Sequence, residues 1–223
     1  MSEEGGVWRT ISGRRVFIRD GQNLSDAMRE SGKFGNMGGR GHITEGDLYE
    51  ALPEEESDKL VQSIKNYTDD YEWSLENEDE IKKLNRAIEK AESVHWNDGE
   101  LYRGVSVDED FLDALHEGDV IGTGLPSSWT SDGSVAAEFA SGQHLKNAND
   151  VRVVLVDKTD GPRNAISIQD LSRYPSEQEV LYSGESAFRV VGFREEENPL
   201  DGSVIHMVEV EEVRTKDGAK KAA

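Results

Sequence analysis

The hydrophobic pattern of this 223-residue chain changes its period near His95, and this change limits the fold more than any other feature. Before His95, two segments repeat apolar residues every three or four positions, which is the spacing of one helix face. After His95, short apolar runs separated by Gly, Asp, Ser and Pro indicate strands. These runs are ELYRGVSV, GDVIGTGL, VRVVLVD, EVLYSG, SAFRVVGF and VIHMVEVEEV. The sequence therefore predicts helices that pack on a sheet.

The two helical segments are residues 54–76 and 77–94. Their apolar faces consist of Leu60, Ile64, Tyr67 and Tyr71 in the first, and Ile81, Leu84, Ile88 and Ala91 in the second. Asn77 followed by Glu80 indicates a helix start, because a side-chain oxygen at that position can cap free amides. A third helix is predicted from Gly133 to Leu145, with an apolar stripe of Val135, Ala136, Phe139 and Ala140.

The composition of the chain divides it into three parts. Residues 1–45 form an N-terminal segment, in which alternating positions over residues 8–20 predict a hairpin or strand pair. The glycine-rich stretch 31–46 is typical of a flexible linker. A single globular domain is expected over residues 46–214, and residues 215–223 form a polar tail.

Charge and residue content argue against several classes of function. Acidic residues outnumber basic ones by 46 to 25, and the resulting net charge of -21 repels nucleic acid and anionic lipid. The chain has no cysteine, so disulfides, thiolate zinc sites and a cysteine nucleophile are excluded. The histidines show no metal-ligand spacing, and the sequence has neither a secretory signal nor the roughly 18 consecutive apolar residues of a membrane span. We expect a cytosolic or particle-associated protein without metal, nucleic acid or membrane partners.

Three separated fragments form one pattern: LYRG around Arg103, SSWTSD around Ser128 and SEQEVLY around Glu179. Each fragment alone is also typical of an ordinary polar strand end, but their order and their positions beside strands make a specific signal. Together they resemble the Arg–Ser–Glu signature of mono-ADP-ribosyltransferases similar to clostridial binary toxins and vertebrate arginine-specific ectoenzymes. The resemblance covers roughly residues 45–213 and implies an α+β fold, with N-terminal helices on a mixed, mostly antiparallel two-sheet core.

The resemblance also implies NAD as the substrate and assigns residues to it. The Arg103 guanidinium would clamp the NAD phosphates through paired hydrogen bonds, and Gly104 would let the ligand approach the backbone closely. Ser128 and Thr130 would point into one cleft, since alternate strand residues share a face, and would hold the nicotinamide ribose and the catalytic glutamate. Phe139 is a candidate for stacking on the nicotinamide ring, although a phenylalanine on an apolar stripe is more often a core residue.

The fragment Glu177-Gln178-Glu179 carries the chemistry. On extended backbone, glutamates two positions apart lie on one face, about 7 Å apart. A carboxylate beside the nicotinamide–ribose bond stabilises the positive charge that develops as the bond breaks, and the resemblance gives this role to Glu179. It gives Glu177 the role of binding the acceptor guanidinium and accepting its proton, and it gives Tyr174 a contact with the target protein. Arginine is therefore the expected acceptor.

Two alternatives remain open for the domain. With water as the acceptor the protein would be an NAD glycohydrolase, and with a degenerate site it would be an inactive structural protein. The N-terminal residues 8–34 resemble a segment of head-morphogenesis proteins of tailed phages. That resemblance implies a viral or prophage protein whose residues 1–40 dock to the capsid or another virion protein, and whose transferase domain acts in the host cytoplasm.

Overall fold

The computed structural model describes residues 6–11, 14–19, 49–50, 52–69, 77–92, 95–96, 99–122, 124–141, 150–197 and 202–213. The proposed linker, residues 31–46, and the polar tail, residues 215–223, lie outside the described residues. The proposed domain boundaries therefore stay predictions.

The helices of the described residues are α1 (Glu54–Asp69), α2 (Glu78–Lys90), α3 (Glu109–Asp113) and α4 (Gly133–Ser141), with a 3-10 helix at Pro175–Glu177. Helices α1 and α2 confirm the predicted helical segments, and the residues of both predicted apolar faces are buried apart from Tyr71, which is not described. The Asn77 side chain accepts a hydrogen bond from the Glu80 amide at 3.3 Å, as predicted for a helix start. Helix α3 was not predicted, because a helix of five residues is too short to show a period.

The strands are β1 (Gly6–Ile11), β2 (Arg14–Arg19), β3 (Leu101–Asp108), β4 (Val120–Ile121), β5 (Ser127–Thr130), β6 (Asp150–Asp157), β7 (Ala165–Ser167), β8 (Glu179–Tyr182), β9 (Ala187–Glu197) and β10 (Val204–Val213). Strands β1 and β2 form an antiparallel hairpin, as predicted. The other strands form one mixed sheet in the order β4-β9-β10-β6-β3-β5-β8-β7. Only the β6–β10 pair is parallel among these described strands.

The eight-stranded sheet is almost divided in two between β3 and β5. These strands are joined at one residue pair, Tyr102 with Thr130, whereas β3 and β6 pair along their whole length. The predicted mixed, mostly antiparallel core is confirmed, and its strands form one sheet that narrows to a single residue pair at this junction. Side chains beside the junction can therefore face a gap in the sheet instead of a neighbouring strand.

Hydrophobic packing fixes each helix to one part of the sheet. Helices α1 and α2 pack on β7 and β8 through a buried cluster that includes Leu60, Ile88 and Leu181. Helix α4 packs on β3, β6 and β10 through Ala136, Ala140 and their neighbours. Full burial of one such large aliphatic side chain contributes about 1.5–3 kcal/mol to stability. The packing of α1 places Tyr67 beside β5. The packing of α4 on β3 requires a glycine at position 104.

Gly104 on β3 has no space for a side chain. A Cβ atom at this position would lie 2.0 Å from the carbonyl oxygen of Ala136 and 2.7 Å from the backbone nitrogen of Ala140, both in α4. The predicted role of Gly104, close approach of a ligand to the backbone, stays a prediction. The missing side chain allows α4 to pack directly against β3.

A buried network of charged and hydroxyl groups joins β6, the following turn and β8. Asp157, which is fully buried, accepts hydrogen bonds from the Arg163 Nε and from the Tyr182 hydroxyl. Arg163 also donates to the carbonyl oxygens of Gly99 at 2.9 Å and of Thr159 at 2.7 Å. Because each buried charge has partners, the cost of its desolvation is offset. The network fixes the strand that begins with Glu179.

A search of the described helices for a membrane span gave no segment long and apolar enough to cross a bilayer.

Candidate active site

The three sequence fragments meet where β3, β5 and β8 lie side by side. Strand β5 pairs with β8, which places Thr130 opposite Glu179, and Tyr102 on β3 also pairs with Thr130. From the next position on β3, Arg103 donates a hydrogen bond from Nη1 to the carbonyl oxygen of Ser128 at 2.6 Å. This bond crosses the junction between the two parts of the sheet, so the guanidinium lies beside the Ser128 and Glu179 fragments.

Glu179 is the most buried carboxylate of the predicted site, with 7% of its surface exposed. Its Oε2 accepts a hydrogen bond from the Ser172 hydroxyl at 3.1 Å. Burial raises the pKa of Glu179 above the usual carboxyl value, while hydrogen bonds from Ser128 and Ser172 and the charge of Arg103 act in the opposite direction. The carboxylate is therefore held by two hydroxyls in a poorly solvated position, where its charge acts strongly on a nearby cation.

Ser128 connects Glu179 to helix α1. Its hydroxyl oxygen lies 2.9 Å from the hydroxyl oxygen of Tyr67, and it also takes part in the hydrogen bond to Glu179. The Tyr67 ring is buried, so its hydroxyl meets Ser128 at the base of the site. Sequence reasoning assigned Tyr67 to the apolar face of α1 and missed this polar contact, which depends on how α1 packs on the sheet.

Thr130 has a role in the backbone structure of the site. Its side chain is buried, and its hydroxyl donates to the carbonyl oxygen of Glu177 at 2.7 Å. The Thr130 hydroxyl oxygen also accepts a hydrogen bond from the amide of Asp132 at 3.0 Å. The hydroxyl thus holds the backbone of the turn before β8, and its expected contact with the ribose stays a prediction.

Trp129, between the two hydroxyl residues, faces the opposite side of the sheet. It is buried against Tyr182 and Phe188, with ring centroids 5.4 Å and 4.9 Å away. Because side chains alternate along a strand, burying Trp129 turns Ser128 and Thr130 toward the site. The bulky residue therefore anchors β5 in the core.

The two glutamates do not lie on one strand face as predicted. Glu177 ends the 3-10 helix Pro175–Glu177, Gln178 adopts a left-handed conformation with φ of 47°, and β8 begins at Glu179. Burial raises the pKa of Glu177, and the negative charge of Glu179 raises it further. The two carboxylates therefore interact, but a turn brings them together instead of a shared strand face.

Tyr174 is the third residue of this turn, which we call the recognition turn and define as residues 172–178. Half of the Tyr174 side chain is exposed, at 49%. Pro175 follows at the first position of the 3-10 helix, where its fixed φ suits the turn. The exposed ring is consistent with the predicted contact to a target protein, which stays a prediction.

Phe139 is on the exposed side of α4, with 43% of its surface exposed. The predicted apolar stripe is confirmed for Val135, Ala136 and Ala140, which are buried, and is wrong for Phe139. Phe139 is therefore not a core residue, and its assignment to the nicotinamide ring stays a prediction.

An open groove of about 300 Å³ lies between α1 and the segment Leu171–Arg173. It is lined from α1 by Gln62, Lys65, Asn66, Thr68 and Asp69. Ser172 lines the groove as well and donates to Glu179, whereas Arg103, Ser128 and Glu179 are not among the lining residues. Among the residues described, no three His, Asp or Glu side chains are grouped so that they could hold a metal ion.

Comparison with sequence families leaves the chain unassigned, since neither a family model nor a curated protein matches it. Solved structures do match. The chain is similar to the Vis toxin, an ADP-ribosyltransferase from Vibrio splendidus, with 20% identity, a TM-score of 0.51, and coverage of 86% of this chain and 84% of the toxin. It is similar to C3stau2 from S. aureus, solved with NAD, with 17% identity, a TM-score of 0.50, and coverage of 82% and 95%.

A third similar structure is the enzymatic component C2-I of the C2 toxin from Clostridium botulinum. The identity is 16%, the TM-score is 0.56, and the match covers 96% of this chain and 54% of that chain. The present chain thus spans about half the length of C2-I. At these identities the comparisons establish architecture, and the architecture agrees with the α+β expectation of the sequence. The chain has the fold of the bacterial ADP-ribosyltransferase toxins.

Proposed function

We propose that the protein is a mono-ADP-ribosyltransferase that transfers ADP-ribose from NAD to an arginine of a target protein and releases nicotinamide. The observation that supports this function is the hydrogen-bonded series Arg103, Ser128 and Glu179, which connects three distant parts of the chain at one point. Packing alone requires none of these polar groups there. One of the similar structures, C3stau2, was solved with NAD, which is consistent with the proposed substrate.

Arg103 has the chemistry to bind the pyrophosphate of NAD. A guanidinium carries several N–H donors in one plane and pairs with phosphate oxygens through parallel hydrogen bonds. The bond from Nη1 to the Ser128 carbonyl fixes the orientation of the plane beside the gap in the sheet. Arg103 thus orients the dinucleotide with respect to Glu179.

Glu179 would stabilise the positive charge that develops on the ribose as the nicotinamide–ribose bond breaks. Its burial makes this interaction strong, because few waters screen the carboxylate. Two hydroxyls fix its orientation before the reaction, so little reorganisation is needed at the transition state. Ser128 receives support from the Tyr67 hydroxyl in the same arrangement.

Glu177 supports arginine as the acceptor. A guanidinium loses a proton only when a base takes it at the transition state, since its pKa is above about 12. The raised pKa of Glu177 makes it a stronger base than an ordinary glutamate, and its charge attracts the acceptor cation. The exposed Tyr174 in the same turn provides a surface for the protein that carries the arginine.

The test uses labelled NAD and a cell extract with purified wild-type, Glu179→Gln and Glu177→Gln proteins. Loss of the Glu179 charge is expected to slow nicotinamide release at least about a hundredfold. Loss of Glu177 is expected to reduce transfer to protein about a hundredfold while NAD cleavage stays within about tenfold of wild type. Glu211→Gln, at an exposed position on β10, is the matched control and keeps full activity. Mass spectrometry identifies the labelled residue.

Other outcomes select the alternatives. Consumption of NAD without labelled protein, at any concentration of added arginine methyl ester, would make the protein a glycohydrolase with water as the acceptor. If neither the wild type nor any variant consumed NAD, the function proposed above would be wrong. An inactive structural role would then take its place.

Association with a virion is a further proposal that rests on the sequence of residues 1–40, within which β1 and β2 form a hairpin over Gly6–Ile11 and Arg14–Arg19. Detection of the protein in purified particles would support it. A chain without residues 1–40 that is incorporated as well as the full chain would contradict docking through this segment.

A further inference from the structure

Ser172 has a hydrogen bond beyond its contact with Glu179 that the proposed chemistry does not explain. It follows the short strand β7 and is buried, with 7% of its surface exposed. The Ser172 hydroxyl donates a hydrogen bond to Glu179 Oε2 at 3.1 Å. The oxygen of this hydroxyl also accepts a hydrogen bond from the amide of Tyr174 at 3.1 Å. Its own amide donates to the Ile168 carbonyl oxygen at 2.7 Å. The hydroxyl therefore has one partner in the carboxylate and one in the recognition turn.

The recognition turn is fixed at both ends by hydroxyls of the site. Ser172 holds its first part through the Tyr174 amide, and Thr130 holds its last part through the Glu177 carbonyl oxygen at 2.7 Å. A serine hydroxyl has one proton to donate and two lone pairs to accept, so the Ser172 proton goes to Glu179 while a lone pair serves Tyr174. A change in the direction of this hydroxyl alters both contacts together.

We propose that Ser172 is a positioning residue that orients the Glu179 carboxylate and couples it to the recognition turn. This inference rests on the proposed function of the same site. Ser172 acts on catalysis through Glu179 and acts on acceptor binding through Tyr174. Its loss therefore affects the rate of bond cleavage, and it affects the share of cleaved NAD that reaches an acceptor.

The neighbours of Glu179 decide the expected direction. Arg103 faces it from β3 and Glu177 from the recognition turn, while Tyr67 on α1 contacts Ser128, which bonds to Glu179. The charges of Arg103 and Glu177 are still present when the Ser172 hydroxyl is removed. Glu179 then loses a donor that favours its charged form, so its pKa rises further above the usual carboxyl value.

The experiment compares wild-type and Ser172→Ala full-length proteins in two assays over a pH series. The first measures nicotinamide release from NAD, and the second measures transfer to arginine methyl ester as a guanidine probe. In Ser172→Ala we expect kcat for nicotinamide release to fall about tenfold with KM for NAD within about twofold, because the serine does not contact the substrate. The acidic limb of the pH profile moves to higher pH, and the ratio of transfer to release falls.

Ser183→Ala is a closely matched control. Ser183 is also buried, with 1% of its surface exposed. Its hydroxyl oxygen also accepts a hydrogen bond from the amide two positions later, that of Glu185, at 3.3 Å. It thus reproduces the local turn without a contact to Glu179. We expect it to keep the wild-type pH profile and the wild-type ratio of transfer to release. Ser172→Thr, which retains a hydroxyl, should restore both quantities.

Each variant is assayed below its own unfolding temperature, and Ser172→Cys provides a second variant of similar size with a weak donor. Cys is expected to shift the pH profile in the same direction as Ala. An unchanged pH profile and ratio in both variants would overturn the positioning role while wild-type activity upheld the proposed function. A wild-type protein that does not cleave NAD would overturn both.

Discussion

Replacement of Gly104 by alanine tests whether the contact between β3 and α4 is as close as described. The new Cβ atom would lie 2.0 Å from the Ala136 carbonyl oxygen and 2.7 Å from the Ala140 nitrogen. Both contacts are with helix backbone, so no side chain can rotate away. Because real Cβ contacts essentially never fall below 3.0 Å, the helix must move by about 1 Å.

Overpacking of this kind costs about 1–3 kcal/mol, and the rigid backbone of α4 places Gly104→Ala near the upper value. For a protein of this size, about 3 kcal/mol lowers Tm by roughly 6–12 °C. Thermal unfolding followed by circular dichroism measures the change, and urea unfolding gives the free energy independently. The displaced helix also moves away from β3 next to Arg103, so we expect weaker NAD binding in the same variant.

Gly133→Ala is the control for this prediction. Gly133 begins α4, and a Cβ atom there would lie 3.6 Å from the Tyr102 ring, which is an ordinary contact. Since alanine is a better helix former than glycine, this variant should be as stable as wild type or slightly more stable. Equal Tm values for Gly104→Ala and wild type would refute the close approach of α4 to β3.

Three further predictions concern the site. Burial raises the pKa of Glu179, and burial together with the charge of Glu179 raises the pKa of Glu177. Activity should therefore be lost on acidification at a higher pH than ordinary glutamates would give. A nicotinamide-release profile with its acidic limb at the usual carboxyl pKa would argue against this environment. The pH dependence of stability has the opposite sign. Both carboxyls stabilise the fold when protonated, so their contribution is fully present below the unfolded-state pKa and is lost as pH rises through the raised pKa values of the folded protein. Thermal unfolding of Glu179→Gln and wild type over a pH series measures this contribution. Tyr67→Phe removes the hydroxyl that meets Ser128 and should slow nicotinamide release about tenfold at a stability cost of about 1 kcal/mol, and an unchanged kcat would show that Ser128 needs no support from α1.

The sequence was sufficient for those parts of the fold that local patterns determine. Helices α1 and α2 were predicted because their apolar faces repeat along the chain, and the Asn77 cap depends on a residue three positions away. Strand β7 was missed because its three residues are all buried and show no alternation. Glu177 was placed on a strand because nothing in the residue type of Gln178 indicates a positive φ.

The sequence predicted the proximity of the main candidate residues but not their hydrogen-bond partners, and the roles of these residues stay predictions. Arg103, Ser128 and Glu179 were found through the order of three fragments, and the structure brings them together. Ser172 could not be found, because a serine in a polar loop has no local signal and its contact with Glu179 arises from tertiary packing. Tyr67 fitted a helical apolar face, which hid the direction of its hydroxyl.

The buried ion pair of Asp157 and Arg163 supports the site and is only weakly screened by dissolved ions. The protein carries a net charge of -21, and its exposed ion pairs, such as Lys59 with Glu55, lose strength as ions screen them. Asp157 is fully buried and receives the Tyr182 hydroxyl from the strand that begins with Glu179. Counterions therefore relieve the repulsion among surface carboxylates while the buried anchor of β8 keeps its strength, so the geometry of the proposed site is uncoupled from the ionic strength of its surroundings.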